Sequence, residues 1–209
     1  MIHVGTSGWS YPSWRGGFYP AGADPKTFLG FYAGRFDTVE LNTTGYRLPA
    51  EEQFQRWAAQ TPDGFTFAVK MPLTRLDRVG TFVERVDALG DRLGPVRIVV
   101  EAARDEGLLA FLHGSLPPEL QVAYDFRHES WDGVDGVVRV NDFEAEPFRY
   151  IRMREPPYSD DDLRVLAGRL RPPAYVFFRH EDAATAPAYA RRLLALIQAP
   201  SNGPQDAPE

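Results

Sequence analysis

The sequence predicts one α/β domain in which eight parallel strands close into a (β/α)8 TIM barrel. Eight short segments alternate apolar and polar residues, as strands do, and most are followed by a segment with helical spacing. Alternating strands and helices form parallel sheets, and eight such units favour closure into a barrel. With 209 residues the chain lies near the lower limit for this fold. Residues 132–135 and 143–147 take the place of helices, so we expect a compact barrel with trimmed helices around strands five to seven.

The alternative fold is an open, doubly wound parallel sheet. Members of that class that bind dinucleotides carry a glycine fingerprint after a strand. Here the first strand is followed by Gly5-Thr6-Ser7-Gly8, which does not match the fingerprint. The sequence therefore favours the barrel, with residues 1–199 as a single domain. Residues 200–209 are proline, glycine, alanine and polar residues and are predicted to form a flexible tail.

The elements of the N-terminal half follow from local signals. Strands are predicted at residues 2–5, 37–42, 65–70 and 96–101. Asp24-Pro25 begins the first helix, because a capping acid precedes a proline at the first helical position. A second helix covers residues 49–60. The third covers residues 78–93, where apolar residues recur with helical spacing and Gly94-Pro95 ends the pattern.

The C-terminal half repeats the pattern with less room for helices. Strands are predicted at residues 121–127, 136–141, 148–154 and 174–179. A short helix covers residues 105–113, before the first of these strands. A helix at residues 159–170 begins with Ser159 and Asp162, which resemble a capping box. The closing helix covers residues 186–198.

Composition and charge narrow the classes of function. The formal charge of −6 disfavours wide electrostatic contact with nucleic acid or anionic membranes, although it allows a local basic pocket. The absence of cysteine excludes disulfides, thiol nucleophiles and thiolate metal sites. No apolar stretch approaches the ~20 residues that span a bilayer, and residues 1–5 lack the start of a signal peptide. We therefore expect a cytoplasmic protein with no membrane partner.

The candidate site is predicted from the carboxyl ends of the strands, where functional groups of such barrels lie. The residues at these ends are Trp9, Glu40, Asn42, Lys70, Glu101, Asp125, Arg127, His128, Asn141, Arg152, Arg154, Arg179 and His180. This set gathers a lysine and four arginines in an acidic protein. It predicts a pocket for a phosphate or a carboxylate, because the planar guanidinium group donates two parallel hydrogen bonds to an oxyanion.

Roles follow from the chemistry of these side chains. The predicted catalytic residues are Glu40 as general acid or base, Lys70 as a titratable ammonium and His128 as the partner of Glu40. The predicted ligand-binding residues are Trp9, Asn42, Tyr46, Asp125, Arg127, Trp131, Arg152 and Arg179. The alternative is an internal salt-bridge network in which Glu40 and Asp125 neutralise Lys70, Arg127 and Arg152. Buried charges must be paired in either case, so the sequence leaves both possibilities open.

Other interpretations also stay open. His128 could be a rim histidine that is hydrogen-bonded to the backbone, and the tryptophans could cap the barrel instead of stacking on a ligand. Glu40, Asp125 and His128 could hold a metal, but no tight ligand motif supports this, and we predict no metal site. The sequence leaves the cofactor and the oligomeric state unknown.

Three segments share their order and spacing with a known family. The first is Val4-Gly5-Thr6-Ser7-Gly8-Trp9-Ser10-Tyr11 with Trp14-Arg15-Gly16 and Phe18-Tyr19-Pro20. The second is Phe36-Asp37-Thr38-Val39-Glu40-Leu41-Asn42, followed by Tyr46-Arg47-Leu48-Pro49 and Phe67-Ala68-Val69-Lys70. The third is Phe126-Arg127-His128 with Ser130-Trp131. Over the N-terminal two-thirds of the chain, these segments resemble the YecE-like family of barrels, domain of unknown function 72.

The resemblance implies a TIM-barrel fold and no settled activity. The chain departs from the family's pattern at Val100-Glu101-Ala102, Met153-Arg154-Glu155 and Arg179-His180, and it is identified as a shortened, divergent member.

Three functions are compatible with these observations. The favoured one is an acid/base or hydrolytic enzyme that acts on a small phosphorylated or carboxylated ligand. A nuclease-like barrel is suggested by fold analogy only, and the net charge counts against a nucleic-acid partner. The third is a catalytically degenerate barrel that serves as a binding module.

Overall fold

A computed structural model describes residues 1–45, 47–71, 73 and 76–199. The strands of these residues are β1 (Ile2–Thr6), β2 (Thr38–Leu41), β3 (Thr66–Met71), β4 (Leu93–Val100), β5 (Val122–Phe126), β6 (Val138–Arg139), β7 (Arg149–Met153) and β8 (Ala174–Phe178). The α-helices are α1 (Phe28–Ala33), α2 (Glu51–Ala59), α3 (Val79–Val86), α4 (Glu106–Ser115), α5 (Asp160–Arg169) and α6 (Thr185–Gln198). No helix in this part of the chain is both long enough and apolar enough to cross a bilayer.

All the strands run parallel to their neighbours, in two sheets. One sheet has the order β2-β3-β4-β5-β6 and the other has the order β1-β8-β7. Single parallel bridges pair Ser7 with Glu40 and Val140 with Tyr150, so they connect the edges of the two sheets at both ends. The predicted α/β fold with parallel strands is confirmed.

Successive residues of each strand face opposite sides, because a strand projects alternate side chains to opposite faces. Val39 and Leu41 of β2 and Ile151 of β7 belong to the large hydrophobic cluster that the helices also enter. Tyr150 of β7 and Phe177 of β8 are next in sequence to Ile151 and Val176 of the large cluster, so they face the other side of the sheet. They belong to a second, smaller hydrophobic cluster there. The site described below lies on the face of this smaller cluster.

The helix predicted at residues 78–93 is too long. The structure ends α3 at Val86 and continues with a 3-10 segment, Asp87–Arg92, that is interrupted at Gly90 with φ 53° and ψ −133°. The strand β4 then begins at Leu93, which pairs with Phe67 of β3. Gly94-Pro95 therefore lies within the strand and does not terminate a helix. Pairing with β3 overrides the local helical pattern here.

Helices are indeed short or missing between strands five and seven, where every residue is described. A single 3-10 turn, Glu129–Trp131, follows β5, and no helix separates β6 from β7. The strand β6 has only two residues, against six predicted. The capping box predicted for the start of α5 is confirmed. The Ser159 hydroxyl accepts a hydrogen bond from the Asp162 amide, and the Asp162 carboxylate accepts one from the Ser159 amide.

Candidate functional site

The centre of the site is the carboxylate of Glu40, which is fully buried on β2. Its Oε1 accepts hydrogen bonds from Nε of Arg97 at 2.6 Å and from the hydroxyl of Tyr150 at 2.7 Å. Nη2 of Arg152 lies 2.8 Å from its Oε2. Burial alone would raise the pKa of Glu40, but Arg152, Arg97 and the Tyr150 hydroxyl outweigh burial and lower the pKa to about 2. Glu40 is therefore a carboxylate at neutral pH.

A second buried carboxylate, Asp125 of β5, gathers three more contacts. Its Oδ2 accepts from Nη1 of Arg97 at 2.6 Å, from Nη2 of Arg154 at 2.7 Å and from Nη2 of Arg127 at 3.1 Å. Arg97 therefore bridges the two carboxylates, and its Nη2 also donates to Oδ1 of Asn42 at 3.0 Å. The guanidinium group of Arg97, only 2% exposed, uses all three of its nitrogens on these partners.

Above this network, a cavity of about 710 Å³ opens at the carboxyl ends of the strands. We call it the strand-end cavity. Its lining consists of Ser7, Asn42, Lys70, Arg97, Val99, Glu101, Arg127, Arg152, Arg154, Arg179 and His180. Six of these described residues are cationic and only Glu101 carries a carboxylate. Counting Glu40 and Asp125 beneath them, three carboxylates face six cations.

The electrostatics of individual groups reflect this excess of positive charge. Burial and the neighbouring Arg97 lower the pKa of Lys70, and burial with Arg179 lowers the pKa of His180. Burial also lowers the pKa of Arg154, although Asp125 opposes the change. In addition, Oε2 of Glu40 and the Nε atoms of Arg152 and Arg154 are buried and have no hydrogen-bond partner among the described residues. An anion in this cavity would offset the excess of positive charge along its lining.

The structure brings together most of the residues predicted for the site. Lys70, Asn42, Arg127, Arg152 and Arg179 line the strand-end cavity, and Glu40 and Asp125 lie in the network that supports them. Tyr46 lies outside the described residues. The roles assigned to these residues stay predictions.

Two predicted site residues lie elsewhere. His128 is exposed and caps the 3-10 turn, where its Nδ1 accepts from the Ser130 amide at 3.1 Å and lies 2.8 Å from the Ser130 hydroxyl. Trp131 is fully buried, stacks on Phe126 and donates from Nε1 to the carbonyl of Ala102 at 2.9 Å. Neither residue lines the strand-end cavity, because the turn after β5 directs His128 to solvent and Trp131 to the core.

Trp9 does not line the strand-end cavity but lines a neighbouring groove, with its ring edge-on to Trp57. Among the described residues, no group of three or more histidine or carboxylate side chains is placed so that it could hold a metal ion.

Sequence reasoning missed Arg97 and Tyr150, the two residues that complete the network around Glu40. It selected strand ends, whereas both of these residues lie within strands. The signal for Arg97 was nonetheless present, because a lone arginine interrupts the apolar run Val96-Arg97-Ile98-Val99-Val100. A charge inside a strand that is covered on both faces requires buried partners.

Comparison with known proteins places this geometry in a family. The model of the family described as protein of unknown function DUF72 matches residues 3–143, more than half of the chain. The chain belongs to the DUF72 family. In Escherichia coli K12, the UPF0759 protein YecE is 35% identical over 141 residues, covering 61% of this chain and 49% of the relative. The same figures hold for the protein of Escherichia coli O157:H7. This DUF72 chain spans about half the length of the curated relatives it matches.

Solved structures of other DUF72 proteins share the fold. The family member from Thermotoga maritima superimposes with a TM-score of 0.78 at 24% identity, over 95% of this chain and 100% of that one. A member from Enterococcus faecalis gives 0.77 at 14% identity, with both chains fully covered. At these identities the likeness supports the fold and nothing finer.

Proposed function

We propose that the strand-end cavity binds a small phosphate- or carboxylate-bearing ligand at the mouth of a single closed barrel formed by residues 1–199. Closure is supported by the two bridges that connect the sheets, Ser7 with Glu40 and Val140 with Tyr150. With these joins the strands follow one another around a ring in the order of the chain, as they do in TIM barrels.

The observation that carries this proposal is the excess of cations around the cavity. Glu40 and Asp125 already pair with Arg97, Arg152, Arg154 and Arg127, so four arginines share two carboxylates. Arg179 also lines the cavity and makes no ion pair with any residue that the structure describes. Arg179 is exposed at the mouth of the cavity, so its guanidinium group is available to form a charge-assisted hydrogen bond with an oxyanion.

The same contacts suggest how the ligand is held. Arg179 and Arg127 are the accessible donors, while Arg152 and Arg154, which also line the cavity, are held by Glu40 and Asp125. Hydrogen bonds from guanidinium groups to oxyanions are charge-assisted and about twice as strong as neutral ones. Glu40 then positions arginines, because a carboxyl group with a pKa near 2 has no proton to donate at neutral pH and is a weak base.

If the protein catalyses a reaction on this ligand, the proton transfer falls to other groups. Lys70 and His180 both line the cavity, and the pKa of each is lowered from its ordinary value. Lowering an ammonium pKa towards neutrality makes lysine a better general base. Without turnover, the same cavity is a binding module.

The experiment is a calorimetric titration at low salt with inorganic phosphate, a sugar phosphate and a small dicarboxylate. Arg179→Ala should weaken the affinity for the best of these by about tenfold or more, since a hydrogen bond to a charged group contributes about 1.5–3 kcal/mol. The melting temperature should not change, because Arg179 is exposed. Arg164→Ala is the matched control, since Arg164 is an exposed arginine of α5 that pairs with Asp161.

Two results would count against the proposal. If no anion binds at millimolar concentration, the cations serve only the internal salt-bridge network. If Arg179→Ala and Arg164→Ala weaken binding equally, the anion does not occupy the strand-end cavity.

A further inference from the structure

A groove of about 1060 Å³ lies beside the strand-end cavity. Its apolar lining includes Trp9, Leu29, Leu41, Leu48, Pro49 and Trp57. Four cations also line it, namely Lys26, Arg47, Arg56 and Arg85. No carboxylate occurs among the described lining residues. The groove is therefore apolar along its walls and positively charged overall.

The groove and the strand-end cavity share a wall. Asn42 lines both, and Ser7 of the cavity is followed directly by Gly8 and Trp9 of the groove. Tyr11, which also lines the groove, donates from its hydroxyl to the Ser7 carbonyl at 2.7 Å. Its ring stacks on His180 of the cavity with centroids 4.5 Å apart. One ligand could therefore occupy both depressions.

The apolar wall of the groove is held in place by the fold. The Trp9 ring meets Trp57 edge-on at 5.3 Å and Phe67 at 6.2 Å, and the Tyr19 hydroxyl donates to the Trp9 carbonyl. Arg85 donates to the carbonyls of Leu48 and Pro49, both at 3.3 Å, so it fixes the opposite wall. A preformed apolar surface binds an apolar group without the cost of ordering side chains.

The remaining cations of the groove attract negatively charged molecules. Lys26, Arg47 and Arg56 are exposed at its rim. A depression bordered by charges of one sign raises the local concentration of oppositely charged molecules. The groove therefore favours a ligand that is apolar in part and anionic as a whole.

We propose that the ligand is an organic anion whose phosphate or carboxylate lies in the strand-end cavity and whose apolar or aromatic body lies in the groove. This inference rests on the proposed function, because it takes the cavity as the site of the charged group. It adds the chemical class: a small amphipathic organic phosphate or carboxylate, as opposed to an inorganic or purely hydrophilic anion.

The test compares phenyl phosphate with inorganic phosphate by calorimetric titration of the full chain. Phenol serves as the probe that lacks the charge, and a single-stranded oligothymidylate serves as an extended polyanion. Phenyl phosphate should bind about tenfold tighter than inorganic phosphate or better, because the groove removes the ring from water. Phenol alone should bind too weakly to detect.

Three variants of α2 locate the ring. Gln53 is half-buried and lines the groove, whereas Gln55 is exposed on the same helix and does not. Gln53→Trp should fill the groove and reduce the advantage of phenyl phosphate to about threefold or less, while inorganic phosphate binds as before. Gln55→Trp should leave the ratio of the two affinities unchanged. Trp57→Ala should reduce the ratio of the affinities for phenyl phosphate and inorganic phosphate, because it removes part of the apolar wall. It also tests the groove independently if Gln53→Trp does not fold.

The possible outcomes separate the inference about the groove from the proposed anion site in the strand-end cavity. Equal affinities for phenyl phosphate and inorganic phosphate would overturn the inference about the groove and leave the anion site intact. An advantage that survives in both Gln53→Trp and Trp57→Ala would also overturn it. If neither compound binds, the proposed function fails as well. Tighter, strongly salt-dependent binding of the oligonucleotide would overturn the inference and make nucleic acid the occupant of the groove.

Discussion

Replacing Glu40 with glutamine should show what the buried network contributes to the stability of the protein. The change keeps the shape of the side chain and removes its charge. Arg97 and Arg152 then lose the carboxylate that lies 2.6 Å and 2.8 Å from them, and the Tyr150 hydroxyl loses a charged acceptor. Removing one partner of a buried ion pair is strongly destabilising, because the remaining charges stay buried without compensation.

The magnitude follows from the pKa of Glu40. The fold lowers this pKa from 4.5 to about 2, and each pH unit corresponds to about 1.4 kcal/mol, so the charged form is stabilised by about 3 kcal/mol. Since the folded pKa lies below the unfolded one, the stabilisation is fully present above pH 4.5. It is lost as the pH falls from 4.5 towards 2. Glu40→Gln should therefore cost about 3 kcal/mol at pH 7 and progressively less below pH 4.5.

The assay is urea denaturation of both proteins between pH 7 and pH 3, supported by thermal melts. For a chain of this size, about 3 kcal/mol corresponds to a fall of about 6–12 °C in the melting temperature at pH 7. Glu84→Gln is the control, because Glu84 is exposed on α3, and its effect should stay within about 0.5 kcal/mol. Equal stability of Glu40→Gln and the unmodified protein at pH 7, or a difference that does not shrink below pH 4.5, would refute this reasoning.

Three further substitutions test particular contacts by urea denaturation. Trp131→Phe should lower the free energy of unfolding by about 2 kcal/mol, because the Ala102 carbonyl loses its hydrogen-bond donor and the smaller ring fills less of the core. Its affinity for phosphate should not change, and a loss of affinity would indicate that Trp131 contributes to ligand binding after all. Gly5→Ala should cost about 3 kcal/mol, because the new Cβ would lie 2.1 Å from the Thr38 carbonyl oxygen; a well-folded variant would contradict the close approach of β1 to β2. Ser159→Ala should cost about 1 kcal/mol through loss of the capping box of α5, and an unchanged stability would show that the cap contributes nothing.

Much of this fold is readable from the sequence, because the period of two in strands is a local property. The alternation at Val39, Glu40 and Leu41 predicts which side chain enters the site and which pack under the helices, and the structure agrees. The cap at Ser159 is equally local. The absence of helices between strands five and seven follows from counting residues.

Non-local effects account for what the sequence did not reveal. The end of α3 depends on the pairing of Leu93 with Phe67, which lies 26 residues away along the chain. His128 follows a strand as a catalytic residue would, yet its ring is drawn to the Ser130 amide of the next turn. The bridge that Arg97 forms between Glu40 and Asp125 requires β2, β4 and β5 to be brought into one sheet, with β3 between β2 and β4. No window of sequence contains that arrangement.

The buried network also changes how the two sequence-based hypotheses relate to each other. An anion pocket and an internal salt-bridge network were alternatives, but here the second could serve the first. Glu40 and Asp125 engage Nη2 of Arg152 and Nη2 of Arg154, which holds both guanidinium groups beside the strand-end cavity. Donors held in place before the ligand arrives bind it without loss of side-chain entropy. On the proposed function, Glu40 and Asp125 therefore do two things at once: they neutralise buried arginines and they position them beside the cavity.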